Sequence, residues 1–199
     1  MKGIEIDLAE KYKNVMVTRV NDKMVDVKLY KDELCSINQH VNVLFANNKL
    51  FYTGDMGTFV FGQTITNIFK FFQGDWINPD YWKEKCEASS QPLEYITNET
   101  IIESTKKFIC EALDIESYEE LDEEKQEYIE MFERTDFRDE ESRAYDEIFA
   151  LLEYLSIEHD YEDVGWIVSD AKKFSHRYLY ACEVIQWVSN NLENWENAL

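Results

Sequence analysis

The chain has 199 residues, 45% apolar and 15% aromatic, which is ample for a packed core and excludes a chain kept unfolded by its own charge. Its 41 acidic and 20 basic residues leave a net charge of −21 and a pI near 4.4, which opposes direct binding to nucleic-acid phosphates. No apolar run is long enough to span a membrane and the N-terminus does not read as a signal peptide, so a soluble, intracellular protein is expected.

One domain or a tightly joined pair is expected from the length, and six Gly and two Pro leave little room for flexible linkers. In residues 4–13, Ile4, Ile6, Leu8 and Tyr12 leave helix and strand open. The period then becomes two. Val15, Val17 and Val20 predict a strand, residues 21–23 a turn, and Val25, Val27 and Leu29 the return strand. Val41, Val43 and Phe45 predict a third strand. Asn47-Asn48 suits a two-residue hairpin, because Asn tolerates positive φ. Residues 50–53, a tight turn at 54–57 and residues 58–61 complete four or five antiparallel strands in a meander.

Helices follow. Ile65, Ile68, Phe69 and Phe72 have helical spacing, ended by Gly74. Asn78-Pro79 reads as an N-cap with Pro at the first helical position, opening a helix over 80–88. Residues 89–92 form the best boundary. Asn98 is the expected cap of the next helix, whose stripe is Ile101, Ile102, Phe108, Ile109 and Leu113. Leu121, Lys125, Tyr128 and Phe132 share one helical stripe, with Ile129 and Met131 beside it. A second helix from about Asp139 turns Tyr145, Ile148, Phe149, Leu152 and Leu155 inward. Residues 164–192 are strongly apolar, and Tyr178, Leu179, Cys182, Ile185 and Val188 trace a late helix, to be packed on the sheet or on the acidic pair. The expected fold is α+β, with an N-terminal antiparallel meander and helices over 1–90, then an acidic helical region over 91–199, packed as one globule.

Charge is distributed unevenly. Residues 1–90 carry 11 basic and 12 acidic side chains, residues 91–199 carry nine and 29. Within residues 111–163 alone, 22 acidic residues face four basic ones, a net of −18. Drawn as one helix at about 1.5 Å per residue, that segment gives about one carboxylate per 3.6 Å; two packed helices halve this to about 1.8 Å. B-form DNA carries about one charge per 1.7 Å of axis. A solvated face that keeps the protein in solution is the competing reading. Glu119, Glu120, Asp122, Glu123, Glu124, Glu127, Glu130, Glu133, Asp139, Glu140, Asp146 and Glu147 are the expected partner-binding carboxylates.

Signatures of catalysis are absent: there is no P-loop, GxGxxG, GxSxG or HExxH. The cysteines (Cys35, Cys86, Cys110, Cys182) lack metal-ligand spacing and read as reduced thiols. His40, His159 and His176 are isolated. Residues 158–163 pair a His with carboxylates, but six adjacent residues cannot all converge on one ion, so an exposed inter-helix loop is expected. Asp55 lies in Gly-Asp-x-Gly, which turn chemistry alone explains. No catalytic residue, metal or cofactor is assigned.

The hairpin Leu50-Phe51-Tyr52-Thr53-Gly54-Asp55-Met56-Gly57-Thr58-Phe59-Val60-Phe61, the segment Tyr81-Trp82-Lys83-Glu84-Lys85-Cys86 and the late helix Arg177-Tyr178-Leu179-Tyr180-Ala181-Cys182-Glu183-Val184-Ile185-Gln186-Trp187 resemble a recurring pattern in small bacteriophage proteins. The acidic insert departs from that pattern. The resemblance implies a phage or prophage origin, a bacterial host cytoplasm and, by analogy with anti-CRISPR and anti-restriction proteins, counter-defence. The expected function is inhibition of a defence nuclease, a CRISPR effector or restriction enzyme, through a polyanion-like face in its basic channel. The rivals are a metal-dependent nuclease acting on guide RNA, through Asp55 or residues 158–163, and a non-catalytic structural or regulatory phage protein.

Overall fold

Alternation of apolar and polar side chains from Val15 onward builds a six-stranded antiparallel meander in a computed structural model, which describes residues 7–21, 23–31, 40–62, 68–137 and 141–197. The strands are β1 (Asn14–Asn21), β2 (Met24–Tyr30), β3 (Val41–Ala46), β4 (Lys49–Gly54), β5 (Gly57–Gly62) and β6 (Cys86–Ser89), neighbours in chain order. Register aligns the buried side chains into rows. Val17, Val27, Val43, Tyr52 and Phe59 form one; Val25, Phe45, Leu50 and Phe61 form the next. A slip of one residue would turn every one of these to the other face, so the apolar pattern fixes the pairing.

Asn47 takes a φ of 56° in the β3–β4 hairpin, and Gly57 a φ of 113° after Asp55-Met56. At position 57 a Cβ would be strained by conformation and would also stand 2.9 Å from Gln91 Cγ.

Four helices belong with this sheet: α1 (Leu8–Lys11), α2 (Ile68–Phe71), α3 (Pro79–Lys85) and, late in the chain, α8 (His176–Asn197). On α8, Tyr178, Ala181, Cys182, Ile185, Val188 and Leu192 follow the helical repeat and are buried in the sheet's core. Tyr178 packs its ring 6.0 Å from Phe59 and donates its hydroxyl to the Pro79 carbonyl at 2.8 Å. Each fully buried large apolar side chain contributes about 1.5–3 kcal/mol. Residues 1–93 and 174–199 form one unit.

Residues 94–173 form a second unit with its own helical core. After the short strand β7 (Glu94–Tyr95) come α4 (Asn98–Leu113), a 3₁₀ turn (Tyr118–Glu120), α5 (Glu123–Glu133), α6 (Glu141–Tyr154), α7 (Tyr161–Asp170) and the short strand β8 (Lys173–Phe174), which reaches the unit's edge. Ile101 and Ile109 of α4, Ile129 and Phe132 of α5, Ile148 and Leu152 of α6, and Val164, Ile167 and Val168 of α7 meet in this core with Phe137.

Several sequence expectations change in detail. The helix expected over 80–88 ends at Lys85, and Cys86–Ser89 forms the sixth strand. Pairing of Val60 with Ala88 and Phe61 with Cys86 captures those residues at the sheet edge and outweighs their helix propensity. The α3 cap is as expected: Asn78 accepts from the Tyr81 N–H at 3.1 Å. For α4 the cap is Thr97 and not Asn98. Thr97 and Thr100 exchange side-chain and backbone bonds in a capping box, which frees Asn98 to accept from the Phe137 N–H at 2.9 Å. Met131 is 57% exposed, because its position on α5 faces away from Ile129 and Phe132. Of the helix expected over 64–74, residues 68–71 are helical and residues 63–67 lie outside the described residues, as do Ile4, Ile6, Cys35, Asp139 and Glu140.

Candidate partner-binding face

Between positions 94 and 173 the chain carries 26 acidic and eight basic residues, a net of −18. Helix α5 is the densest part. Its N-cap Asp122 accepts from the Lys125 N–H at 3.0 Å, and Glu123 and Glu124 fill the first turn, where acidic groups suit the helix dipole. Hydrogen bonding from the Lys125 backbone and ammonium holds the Asp122 carboxyl below its ordinary value. Glu123, Glu127 and Glu130 fall at i, i+4 and i+7 and form one exposed stripe opposite buried Ile129 and Phe132.

The other acids around α5 have local partners. Glu120 accepts from the N–H groups of Glu116 and Ser117 at 2.8 and 3.1 Å, closing the cap of the 3₁₀ turn. Glu124 accepts from the Tyr154 hydroxyl at 2.9 Å, while the Tyr128 and Tyr154 rings stack at 3.9 Å. That contact ties the start of α5 to the end of α6, so the two helices run antiparallel. The hydrogen bond to Glu124 pushes the Tyr154 hydroxyl above its ordinary pKa. Glu130 pairs with Arg134 at 3.3 Å. Half-buried Glu133 pairs with Lys106, whose ammonium also lies 3.8 Å from the Tyr118 ring centroid. Burial alone would lower the Lys106 pKa; its bonds to Glu133 and Tyr118 outweigh this and raise it. The carboxylates of Glu119, Glu123, Glu127 and Asp146 have no hydrogen-bond or ion-pair partner among the described residues.

On α6 the density is lower. Asp146 and Glu153 face solvent, but Glu147 is half-buried and lies 4.0 Å from Arg143. The structure therefore groups Glu119, Glu120, Asp122, Glu123, Glu124, Glu127 and Glu130 along α5 and the turn before it. Asp146 and Glu147 lie on the next helix, and Glu133 turns toward Lys106 of α4. The densest run of exposed acids lies on the single helix α5. Its four outward glutamates, Glu123, Glu124, Glu127 and Glu130, span eight residues, about 12 Å of axis, or about one per 3 Å, close to the roughly 3.4 Å of one DNA strand and not to the duplex value.

A pattern across the unit was not read from the sequence. The last turns of α4, α5, α6 and α7 hold no basic residue, and they hold Glu111, Glu130, Glu133, Glu153 and Asp170. Helix C-termini favour cations by about 0.3–1 kcal/mol each. Arg134, Lys106 and Lys107 lie beside Glu130, Glu133 and Asp170 and offset this, whereas Glu111 and Glu153 have no cation partner among the described residues and sit where they oppose helix stability.

Asp55 is exposed in the β4–β5 turn. Residues 158–163 are not a plain loop: Asp160 caps α7, accepting from Glu162 and Asp163 at 2.7 and 3.0 Å, and Asp163 accepts from the Asp160 N–H at 2.9 Å. The Asp160 and Asp163 carboxylates are thus committed to backbone donors. His159 donates its Nδ1–H to the Ile157 carbonyl at 2.7 Å and sits 4.5 Å from Phe149. No group of three His, Cys, Asp or Glu side chains suited to a metal occurs among the described residues. Burial raises the Cys182 thiol pKa well above its ordinary value. Also among the described residues, no helix is long and apolar enough to cross a membrane.

Fold and face together define an α+β protein with an electronegative helical unit. Comparison with protein-family models, curated proteins and solved structures found no match.

Proposed function

We propose that this protein is a non-catalytic inhibitor that lays α5 and the preceding turn into the basic nucleic-acid channel of a nucleic-acid-binding protein. The partner class is a bacterial defence nuclease, such as a CRISPR effector or a restriction enzyme, as the phage-like sequence pattern implies. The observation that carries this reading is the set of five carboxylates on the last turns of α4 to α7, with no basic residue there. Charge placed only for solubility would not need to oppose the helix dipoles. Charge placed for an external cationic surface would, since a dense face steers association and its effect reaches about 8 Å at physiological salt.

The exposure of the stripe Glu123, Glu127 and Glu130 supports the same reading, as does the exposure of Glu119. The test is displacement of bound DNA from a panel of CRISPR effectors and restriction enzymes. Wild-type protein should displace the duplex from at least one member, and Glu123→Lys, Glu124→Lys, Glu127→Lys and Glu130→Lys together should abolish it. Equal potency of the reversed protein, or no displacement from any member, would overturn the reading.

A further inference from the structure

Trp166 is 68% exposed on α7, an unusual place for an indole. The helical repeat explains the exposure, because Val164, Ile167 and Val168 take the core-facing positions of α7. Beside the indole lies a groove of about 190 Å³ between α4 and α7, lined by Ser104, Lys107, Phe108, Glu111, Ile167 and Asp170 as well as Trp166. That volume holds about six waters at roughly 30 Å³ each, which is one long side chain. It is well below the roughly 300–1,000 Å³ of small-molecule sites.

The groove's chemistry is that of a cation receptor. An indole face attracts a guanidinium more strongly than other aromatic rings do. The Glu111 carboxylate has no partner among the described residues. Asp170 accepts from the buried Ser104 hydroxyl at 3.3 Å, which fixes one of its oxygens, Oδ2. The same oxygen lies 3.8 Å from the Lys107 ammonium, with both side chains 62% exposed. A pair that open to water is weak and exchangeable. The planar fork of an arginine could replace Lys107 at Asp170, stack on Trp166 and run its aliphatic stem over Phe108 and Ile167.

We infer that the α4–α7 groove is an anchor for a single arginine side chain of a protein partner. The occupant follows from charge complementarity with a unit of net charge −18 and from the size of the groove. This inference rests on the reading above that the partner is basic, but its groove lies on α4 and α7 and not on the α5 stripe, so the two can be tested apart.

The test labels the full chain with 5-fluorotryptophan, assigns the Trp166 signal by Trp166→Phe, and titrates the peptide acetyl-Gly-Arg-Gly-Arg-Gly-amide followed by ¹⁹F NMR. The peptide with citrulline in place of arginine has nearly the same shape and no charge. The arginine peptide should move the Trp166 signal saturably and the citrulline peptide should not. Glu111→Gln should weaken the titration severalfold, and Trp166→Ala should weaken binding seen by calorimetry about fivefold. Exposure of both residues means that neither substitution removes core packing. The variant Glu123→Gln, Glu127→Gln, Glu130→Gln should leave the Trp166 titration intact. An unmoved Trp166 signal, an equal response to citrulline, or loss of the response in the α5 variant would each overturn the assignment. The last result would place the attraction on α5 alone and leave the proposed function standing.

Discussion

Glu111 and Glu153 occupy the last turns of α4 and α6, face solvent, and have no ion-pair partner among the described residues. Replacing both with Lys removes two unfavourable dipole contacts and adds two favourable ones. At the low, exposed end of the dipole range the pair should gain about 1 kcal/mol at low salt. For a chain of this size that corresponds to a Tm rise of about 2–4 °C. The assay is thermal unfolding by circular dichroism in about 0.01 M and 1 M salt, where the Debye lengths are about 30 and 3 Å. The gain should be clear at low salt and shrink at high salt. An unchanged or lowered Tm at low salt would mean that these acids serve the fold, and would remove the chief support for a functional surface.

Further outcomes follow from the same structure. Thr97→Ala should cost about 1 kcal/mol, measured by urea unfolding, because it leaves the first N–H groups of α4 without their cap. Gly57→Ala should destabilise by about 1 kcal/mol or more, since φ is 113° there, while Asp55→Asn in the same turn should be nearly neutral. Burial raises the Glu183 pKa, so the folded state holds its proton more tightly than the unfolded state does. Stability from that proton is present at acid pH and lost as pH rises through the folded pKa. Glu183→Gln should therefore raise Tm at pH 7 and have no effect below about pH 4; a constant difference across that range would contradict the assignment. Cys182 should resist a thiol-specific reagent at pH 8 until unfolding, because burial keeps its thiol protonated.

How much of this could be read from the residues depends on the range of the interactions. Strands β1 to β5 announce themselves because each row of Val, Leu and Phe alternates locally, and Asn47 and Gly57 mark the turns. Strand β6 does not, because Glu84 to Ala88 carry no alternation and become a strand only by pairing with Val60 and Phe61 across a long connection. The Thr97 cap competes with an equally good neighbour, Asn98, and the choice is settled by the distant Phe137 N–H. The acidic face shows a similar split. Exposure of Glu123, Glu127 and Glu130 follows from helical spacing alone. The commitment of Glu133 to Lys106 and of Glu124 to Tyr154 needs the helices to be packed before it exists. Trp166 was within reach of the same helical arithmetic, since its neighbours Ile167 and Val168 already define the core side of α7.

The most direct measurement is the salt dependence of affinity for a nuclease from which this protein displaces DNA, determined for the wild type and for the variant with Gln at positions 119, 123, 124, 127 and 130. A surface that stands in for phosphates should give affinity that falls steeply as log[salt] rises, with a clearly shallower slope in the variant. Parallel slopes for the two proteins, or an affinity indifferent to salt, would contradict the account.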